Sequence, residues 1–263
     1  MSASTLKASL RGLAIAAAVA SPLAFAGEAK AVNVGLELSL LIDVSGSVDA
    51  TEYNLQKQGY VQAFQSAAVQ NAILSSVGGS IAVNFIQWSG ANQQVQSVGY
   101  TLINSVASSN AFAAAINGIS RASNGNTAPG NAIQFATTLI NNNIYDAPRQ
   151  VFDVSGDGAA NEGINTAAAR NAALAAGVDT INGLVILGDP GVQGFYQSSI
   201  VGGGGFLQVA NSFNDFASAI QQKLVREITQ VPEPASLALF GIGVAALGLV
   251  RRRRSARTVS AQA

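Results

Sequence analysis

Two carboxylates and several hydroxyls stand where a folded chain could gather them around one cation. Asp43-Val44-Ser45-Gly46-Ser47 follows an apolar run, and Ser155-Gly156-Asp157-Gly158 ends a second one. Between them, Asn126-Thr127-Ala128-Pro129-Gly130 leads into a helical pattern. Every donor in these segments is a hard oxygen. Hydroxyls with two carboxylates, completed by water, suit an octahedral site for Mg²⁺ or Mn²⁺ better than one built from nitrogen and sulfur. A cation would also resolve a conflict, because carboxylates converging at a sheet edge repel unless a counter-charge lies between them.

Composition narrows the alternatives. The chain has no Cys and no His, which removes disulfides, thiol nucleophiles, imidazole bases and the usual zinc ligands. Apolar residues make up 49% of the 263, and the 27 glycines suit a globular core joined by tight turns. Net charge is zero, but residues 27–234 hold all 14 acids against seven Lys and Arg, a balance of −7. An acidic body without a basic stripe argues against nucleic acid as a partner.

The elements that must position these donors alternate between strand and helix. Leu36 to Ile42 reads as a buried strand ending at Asp43. Asp49 and Glu52 then form an N-cap and N3 pair opening a helix to about Ala68. Ser80–Trp88 and Gln94–Val98 read as strands around a Gly90-Ala91-Asn92 turn. Residues 111–119 look helical, and Pro129 suits the first position of a helix reaching Asn141. Further on come a strand at 150–155, an Ala-rich helix at 164–176 and a strand at 180–187. A short strand at 206–209 precedes a last helix, capped by Ser212 with Asp215 and running to Arg226. This alternation predicts an α/β fold, a doubly wound, mostly parallel sheet with helices on both faces. Such sheets bind ligands beyond the carboxyl ends of their strands, where strand order reverses. Trp88 reads as core, and Gly202–Gly205 as a loop rather than a phosphate cradle, since no Lys-Ser/Thr follows it.

Both ends read as addresses. Lys7 and Arg11 precede an apolar run from Gly12 to Ala20, and Ala24-Phe25-Ala26 supplies a small-residue cleavage site, so residues 1–26 are expected to be a secretory signal peptide. Residues 27–228 form the domain, and 229–234 a linker containing Pro232-Glu233-Pro234. Residues 235–250 are small and apolar, long enough as a helix for roughly 24 Å of membrane. The basic tail 251–263 opens with Arg251 to Arg254, which would hold that end in the cytoplasm. This tripartite tail resembles the PEP-CTERM sorting signal of Gram-negative bacteria. The resemblance implies cutting by an exosortase-type enzyme near Pro232, Glu233 and Pro234. It further implies a precursor anchored in the inner membrane through 235–250 until that cut, and a product at the cell surface or outside.

Asp43-x-Ser45-x-Ser47, Thr127 and Asp157-Gly158 resemble the metal-ion-dependent adhesion site of von Willebrand A domains, over about residues 34–228. The resemblance implies that Asp43, Ser45, Ser47, Thr127 and Asp157 hold the ion, Mg²⁺ first with Mn²⁺ or Ca²⁺ as alternatives. It implies binding rather than chemistry: a protein or extracellular-matrix partner supplies a carboxylate to the cation's open position. Val154-Ser155-Gly156-Asp157-Gly158 and Gln87-Trp88-Ser89 resemble a little-characterised bacterial branch of that superfamily. Two departures stand out. Ordinary members carry Thr-Asp-Gly where this chain has Gly156-Asp157-Gly158, and an apolar residue where it has Asp153.

Rival functions are a metal-assisted hydrolase and a regulatory subunit of a larger ATP-driven envelope complex. Against the first stands the lack of His and of a third acid; against the second stands the export signal. Asp153, in the middle of a strand, needs polar partners. If Asp43 and Asp157 lie level on neighbouring strands, counting back four residues on each predicts a polar ladder Ser39–Asp153–Asn182 beneath the cation.

Overall fold

The structure is a computed structural model that describes residues 31–230. The signal peptide, Pro232-Glu233-Pro234, the 235–250 span and the basic tail expected from sequence lie outside the described residues. Among those described, no helix is long and apolar enough to cross a membrane.

In chain order the elements are β1 (Val32–Asn33), β2 (Glu37–Asp43), α1 (Ala50–Gln65), α2 (Ala67–Ser75), β3 (Ile81–Trp88) and β4 (Gln94–Ile103). Then come α3 (Val106–Gly118), α4 (Pro129–Ile140), β5 (Tyr145–Asp146), β6 (Gln150–Gly156) and α5 (Thr166–Ala175). β7 (Thr180–Ile186), α6 (Val192–Phe195), a π-helical turn at Tyr196–Ile200, β8 (Leu207–Ala210) and α7 (Phe216–Thr229) complete the described chain. Six strands form one sheet in the order β4-β3-β2-β6-β7-β8, parallel except for β4. β1 and β5 form a separate parallel pair.

β2 is central because it can be buried on both faces. Leu38, Leu40 and Ile42 pack on one side against Tyr60 and Phe64 of α1 and Phe216 and Leu224 of α7. Leu41 points the other way and packs with Phe152, Val154, Ile133 and Ala136, toward α4 and α5. Each fully buried side chain of this size stabilises the fold by about 1.5–3 kcal/mol. The caps fall where the sequence places them: Asp49 accepts from the amides of Thr51 and Glu52, and Glu52 reaches back to the Asp49 amide.

Several boundaries differ from expectation. The helix expected to run to Ala68 breaks at Ser66, whose backbone turns extended and whose hydroxyl caps α2 through the Val69 amide. β4 continues to Ile103, and α3 opens at Val106 on a Ser105/Ser108 capping box. The β1–β5 pair and the α6 segment went unpredicted because two-residue strands and a four-residue helix carry no periodicity.

The predicted Ser39–Asp153–Asn182 ladder does not form. Ser39 is level with Phe152, and Asp153 with Leu40. The terminal aspartates are offset: Ile42 pairs with Ser155, so β6 still has Gly156 to place before Asp157. A one-residue offset turns a side chain to the opposite face. Ser39 therefore faces Tyr100, whose hydroxyl lies 2.7 Å from its own, whereas Asp153 faces α7. Asn182 is level with Asp153 as expected, but its amide donates to Glu227 Oε1 at 2.8 Å. Asp153 is instead paired with Lys223 of α7, Nζ to Oδ1 at 2.5 Å.

Candidate metal centre

β2 lies between β3 and β6, the two strands to which the chain winds in opposite directions, so the β2/β6 edge is the point where strand order reverses. Three loops meet there: the one after β2, the one before α4 and the one after β6. They bring together all five residues expected to ligate. Ser47 Oγ donates to Asp157 Oδ1 at 2.8 Å and lies 3.3 Å from Ser45 Oγ. The Ser45 amide donates to Asp43 Oδ1 at 2.7 Å. Thr127 borders the cluster: a Cβ placed on Gly158 would lie 3.7 Å from Thr127 Oγ1 and 4.0 Å from Ser47 Oγ. Asp43, Ser45 and Thr127 are buried, Ser47 is exposed and Asp157 lies between, so the cluster opens outward on one side.

Electrostatically the cluster is short of positive charge. Burial pushes the Asp43 carboxyl up to about 7, with Asp157 adding to the rise and bonds from Ser45 opposing it. Asp157 is also raised, by burial first and then by Glu52 and Asp189. Asp43 Oδ2 is buried without a hydrogen-bond partner, which is costly unless something else satisfies it. The donor set fits a divalent cation, which would supply the missing charge and a partner for Oδ2. Among the described residues no three His, Cys, Asp or Glu side chains converge, so the hydroxyls are indispensable to any such site.

Sequence reasoning missed the residues that hold the loops. Arg121 donates to the Val44 and Ser45 carbonyls at 2.9 and 2.7 Å and to Ser123 O at 2.9 Å, strapping the first loop to the segment before α4. Asn161 Oδ1 accepts from the Thr127 amide at 2.8 Å, and the Asn161 amide donates back to Thr127 O at 3.0 Å. Gln56 of α1 donates to Asp43 O at 3.2 Å. None belongs to a motif. An arginine or asparagine in a loop gives no sequence signal of its reach.

Tyr196 is the least expected neighbour. A Cβ added at Gly156 would lie 2.5 Å from both Asp43 Oδ2 and the Tyr196 hydroxyl. The two oxygens are therefore at most 5.0 Å apart, in the space a Thr side chain would need. That explains why Gly stands at 156: the tyrosine and the aspartate fill the position. Tyr196 is fully buried and its hydroxyl has no hydrogen-bond partner.

A family model described as Protein of unknown function (DUF1194) matches residues 33–232. The chain belongs to this family. Solved structures of von Willebrand A type share the fold. A von Willebrand factor type A protein from Catenulispora acidiphila superposes with a TM-score of 0.53 at 15% identity, over 74% of this chain and 43% of that one. Proximal thread matrix protein 1 from the mussel byssus, with a zinc-occupied MIDAS motif, gives 0.54 at 15%, over 74% and 46%. The pilus adhesin SpaC from Lactobacillus rhamnosus GG gives 0.56 at 14%, over 76% and 31%. The DUF1194 chain thus spans less than half the length of each of these. At such identities the likeness is one of fold. A PEP-CTERM protein-sorting motif matches residues 230–254. No curated protein matches the sequence.

Proposed function

We propose that this DUF1194 protein is an exported binding module that engages an acidic group on a protein or matrix partner through a divalent cation held by Asp43, Ser45, Ser47, Thr127 and Asp157. The observation that carries it is the gathering of five oxygen side chains at the strand-order reversal. Two raised carboxylates and the unpartnered Asp43 Oδ2 lie there with no cationic side chain among the five. Three of these donors are hydroxyls, which suits Mg²⁺ or Mn²⁺. A partner carboxylate would complete the shell from the exposed side, where Ser47 and Asp157 face solvent. A shallow groove of about 330 Å³ between Gly90–Gln93, Gly125, Asn126 and Glu162 adjoins the Thr127 loop and offers room for flanking contacts.

The fold neighbours support a binding role: one is a matrix protein of the mussel byssus and another a pilus adhesin. The PEP-CTERM motif supports export and processing at the membrane. On this reading residues 1–26 are removed as a signal peptide, and 27–228 form the domain. Residues 229–234 link it to a transmembrane segment at 235–250, and the basic tail 251–263 stays inside until an exosortase-type enzyme cuts near Pro232-Glu233-Pro234. The test is affinity capture from the native cell envelope using the full chain, with Mg²⁺ or with chelator. A partner retained with Mg²⁺, released by chelator and lost with Asp43→Ala is the expected result. Equal retention in chelator overturns cation dependence.

A further inference from the structure

Lys223 and Glu227, one turn apart on α7, and Asp153, in the middle of β6, form a closed group at the centre of the molecule. All three are fully buried. Lys223 Nζ lies 2.5 Å from Asp153 Oδ1 and 2.6 Å from Glu227 Oε1. Neither Asp153 oxygen makes a hydrogen bond apart from the Lys223 contact, and Glu227 Oε2 has no partner. The surroundings are aromatic: the Phe206 ring centre is 5.8 Å from Nζ, and Tyr60 packs edge-on against Phe85 and Phe216. Asn182 fixes Glu227 through its amide, and Arg149 holds the Glu227 carbonyl at 3.0 Å.

Two acids and one amine in a dry pocket are an expensive way to build a core, since each charge loses its hydration. The same arrangement is what amide formation needs. An amine must lose its proton and stand beside a carboxyl carbon, and a second acid must carry protons between them. The C–O bond is about 1.2 Å long, so Asp153 Cγ is no more than about 3.7 Å from Nζ. Burial raises the Asp153 carboxyl. Burial, with Asp153 adding to the effect, pushes Glu227 up to about 8. Both acids are thus held toward the protonated form that the reaction uses.

We infer that Lys223 and Asp153 join in an intramolecular amide bond, with Glu227 as the proton carrier. Lys223 passes a proton to the Asp153 carboxyl it touches, and the resulting amine attacks Cγ of that acid, forming the N–C bond. Glu227 gives its proton to the departing Asp153 hydroxyl and takes one from the nitrogen. The C–O bond breaks, one water leaves, and Glu227 ends protonated as it began. Nothing is oxidised or reduced, and no co-reactant is required. The bond would tie α7 covalently to a central strand. α7 ends at Thr229 and the sorting motif begins at residue 230, so force between a tethered end and a bound partner would pass into the sheet through this link.

Peptide mapping of the full chain under denaturing conditions tests it. Trypsin should fail to cut after Lys223, and residues 150–170 should emerge joined to 171–226, lighter than the two peptides by one water. Glu227→Gln, which keeps the shape and a hydrogen bond to Asn182, should leave the bond unformed and restore cutting after Lys223. Asp153→Ala should do the same. Separate, full-mass peptides from the wild type overturn the bond outright, whether or not the variants fold. A bond that forms completely in Glu227→Gln overturns the role given to Glu227.

Discussion

The same strand carries two acidic centres with opposite solutions to one problem. Asp157 lies just past the end of β6, Asp153 four residues earlier in its middle. Each is raised by burial and each has a second raised carboxylate near it, Asp43 in one case and Glu227 in the other. In the interior the partner is built in: Lys223 lies one hydrogen-bond length from each acid, 2.5 and 2.6 Å. At the edge no cationic side chain joins the cluster; Arg121 is turned to backbone carbonyls. The difference teaches where the molecule is finished and where it waits. A core must be neutralised by its own chain, whereas a loop edge open to water can leave its counter-charge to be recruited.

The sharpest way to break that comparison is to remove each centre's essential charge in turn. Lys223→Met removes the amine that would form the amide and with it the partner of two buried acids, and losing one partner of such a buried pair costs about 3–5 kcal/mol. Asp43→Ala instead removes an acid whose burial is unfavourable, so the cation-free domain should lose little stability. Urea unfolding of both variants measures this. Equal loss in the two would mean that the edge is as self-contained as the core.

Adding the recruited charge is the second test. Mg²⁺ at a hundred times its dissociation constant should stabilise the wild type by about 2.7 kcal/mol, and Asp43→Ala should show no gain. Thermal unfolding with and without metal decides it. A wild-type curve indifferent to saturating Mg²⁺ or Mn²⁺ would remove the basis for a cation site.

The edge was far more legible than the core. Asp43, Ser45, Ser47 and Asp157 sit in short motifs at strand ends and Thr127 just before α4, and the run from Leu36 to Ile42 announces a strand by composition alone. The failure at Asp153 came from register. Counting back from two aspartates assumes that they are level, and the extra residue at Gly156 reverses the face. Lys223 and Glu227 could have been suspected, because they recur at i and i+4 among Ile220, Leu224 and Ile228, and so fall on the apolar side of α7. Nothing local says which strand that face meets. Tyr196 had no signal at all, since it lies in a π-turn after a segment broken by Pro190 and Gly191.

A third test compares the centres by pH. Glu227 faces Asp153 from β6, Lys223 on its own helix, Asn182 from β7, Arg149 at its carbonyl and the buried Tyr60 hydroxyl from α1. Its folded value, about 8, lies above the ordinary 4.5. The folded state therefore holds a proton that the unfolded state releases first, so stability falls as pH rises from about 4.5 to 8. Glu227→Gln cannot ionise and should flatten that decline. Denaturant midpoints across the range measure it, and an unchanged slope in the variant would place the titration elsewhere.

The smallest expected effect concerns Tyr196, and it asks whether the waiting edge is aimed by the core. The Tyr196 hydroxyl and Asp43 Oδ2 crowd the same space beside Gly156, both buried and neither hydrogen-bonded. A phenol has one proton to donate, and Asp43 Oδ2 lies within 5.0 Å of it without a partner of its own. Donation would hold the Asp43 carboxylate in one orientation, so that less freedom is lost when a cation arrives. A single hydrogen bond of this kind is worth about 1 kcal/mol net, or roughly fivefold in affinity. Tyr196→Phe keeps the ring in its apolar setting and removes only the hydroxyl, so it should weaken Mg²⁺ binding about fivefold with the fold intact. Gly156→Thr would push a side chain into both oxygens and should weaken it further. Calorimetric titration of Mg²⁺ into the two variants reads the difference. If Tyr196→Phe binds as tightly as the wild type, the tyrosine only fills space, and Asp43 is held by the Ser45 amide and the backbone of β2 alone.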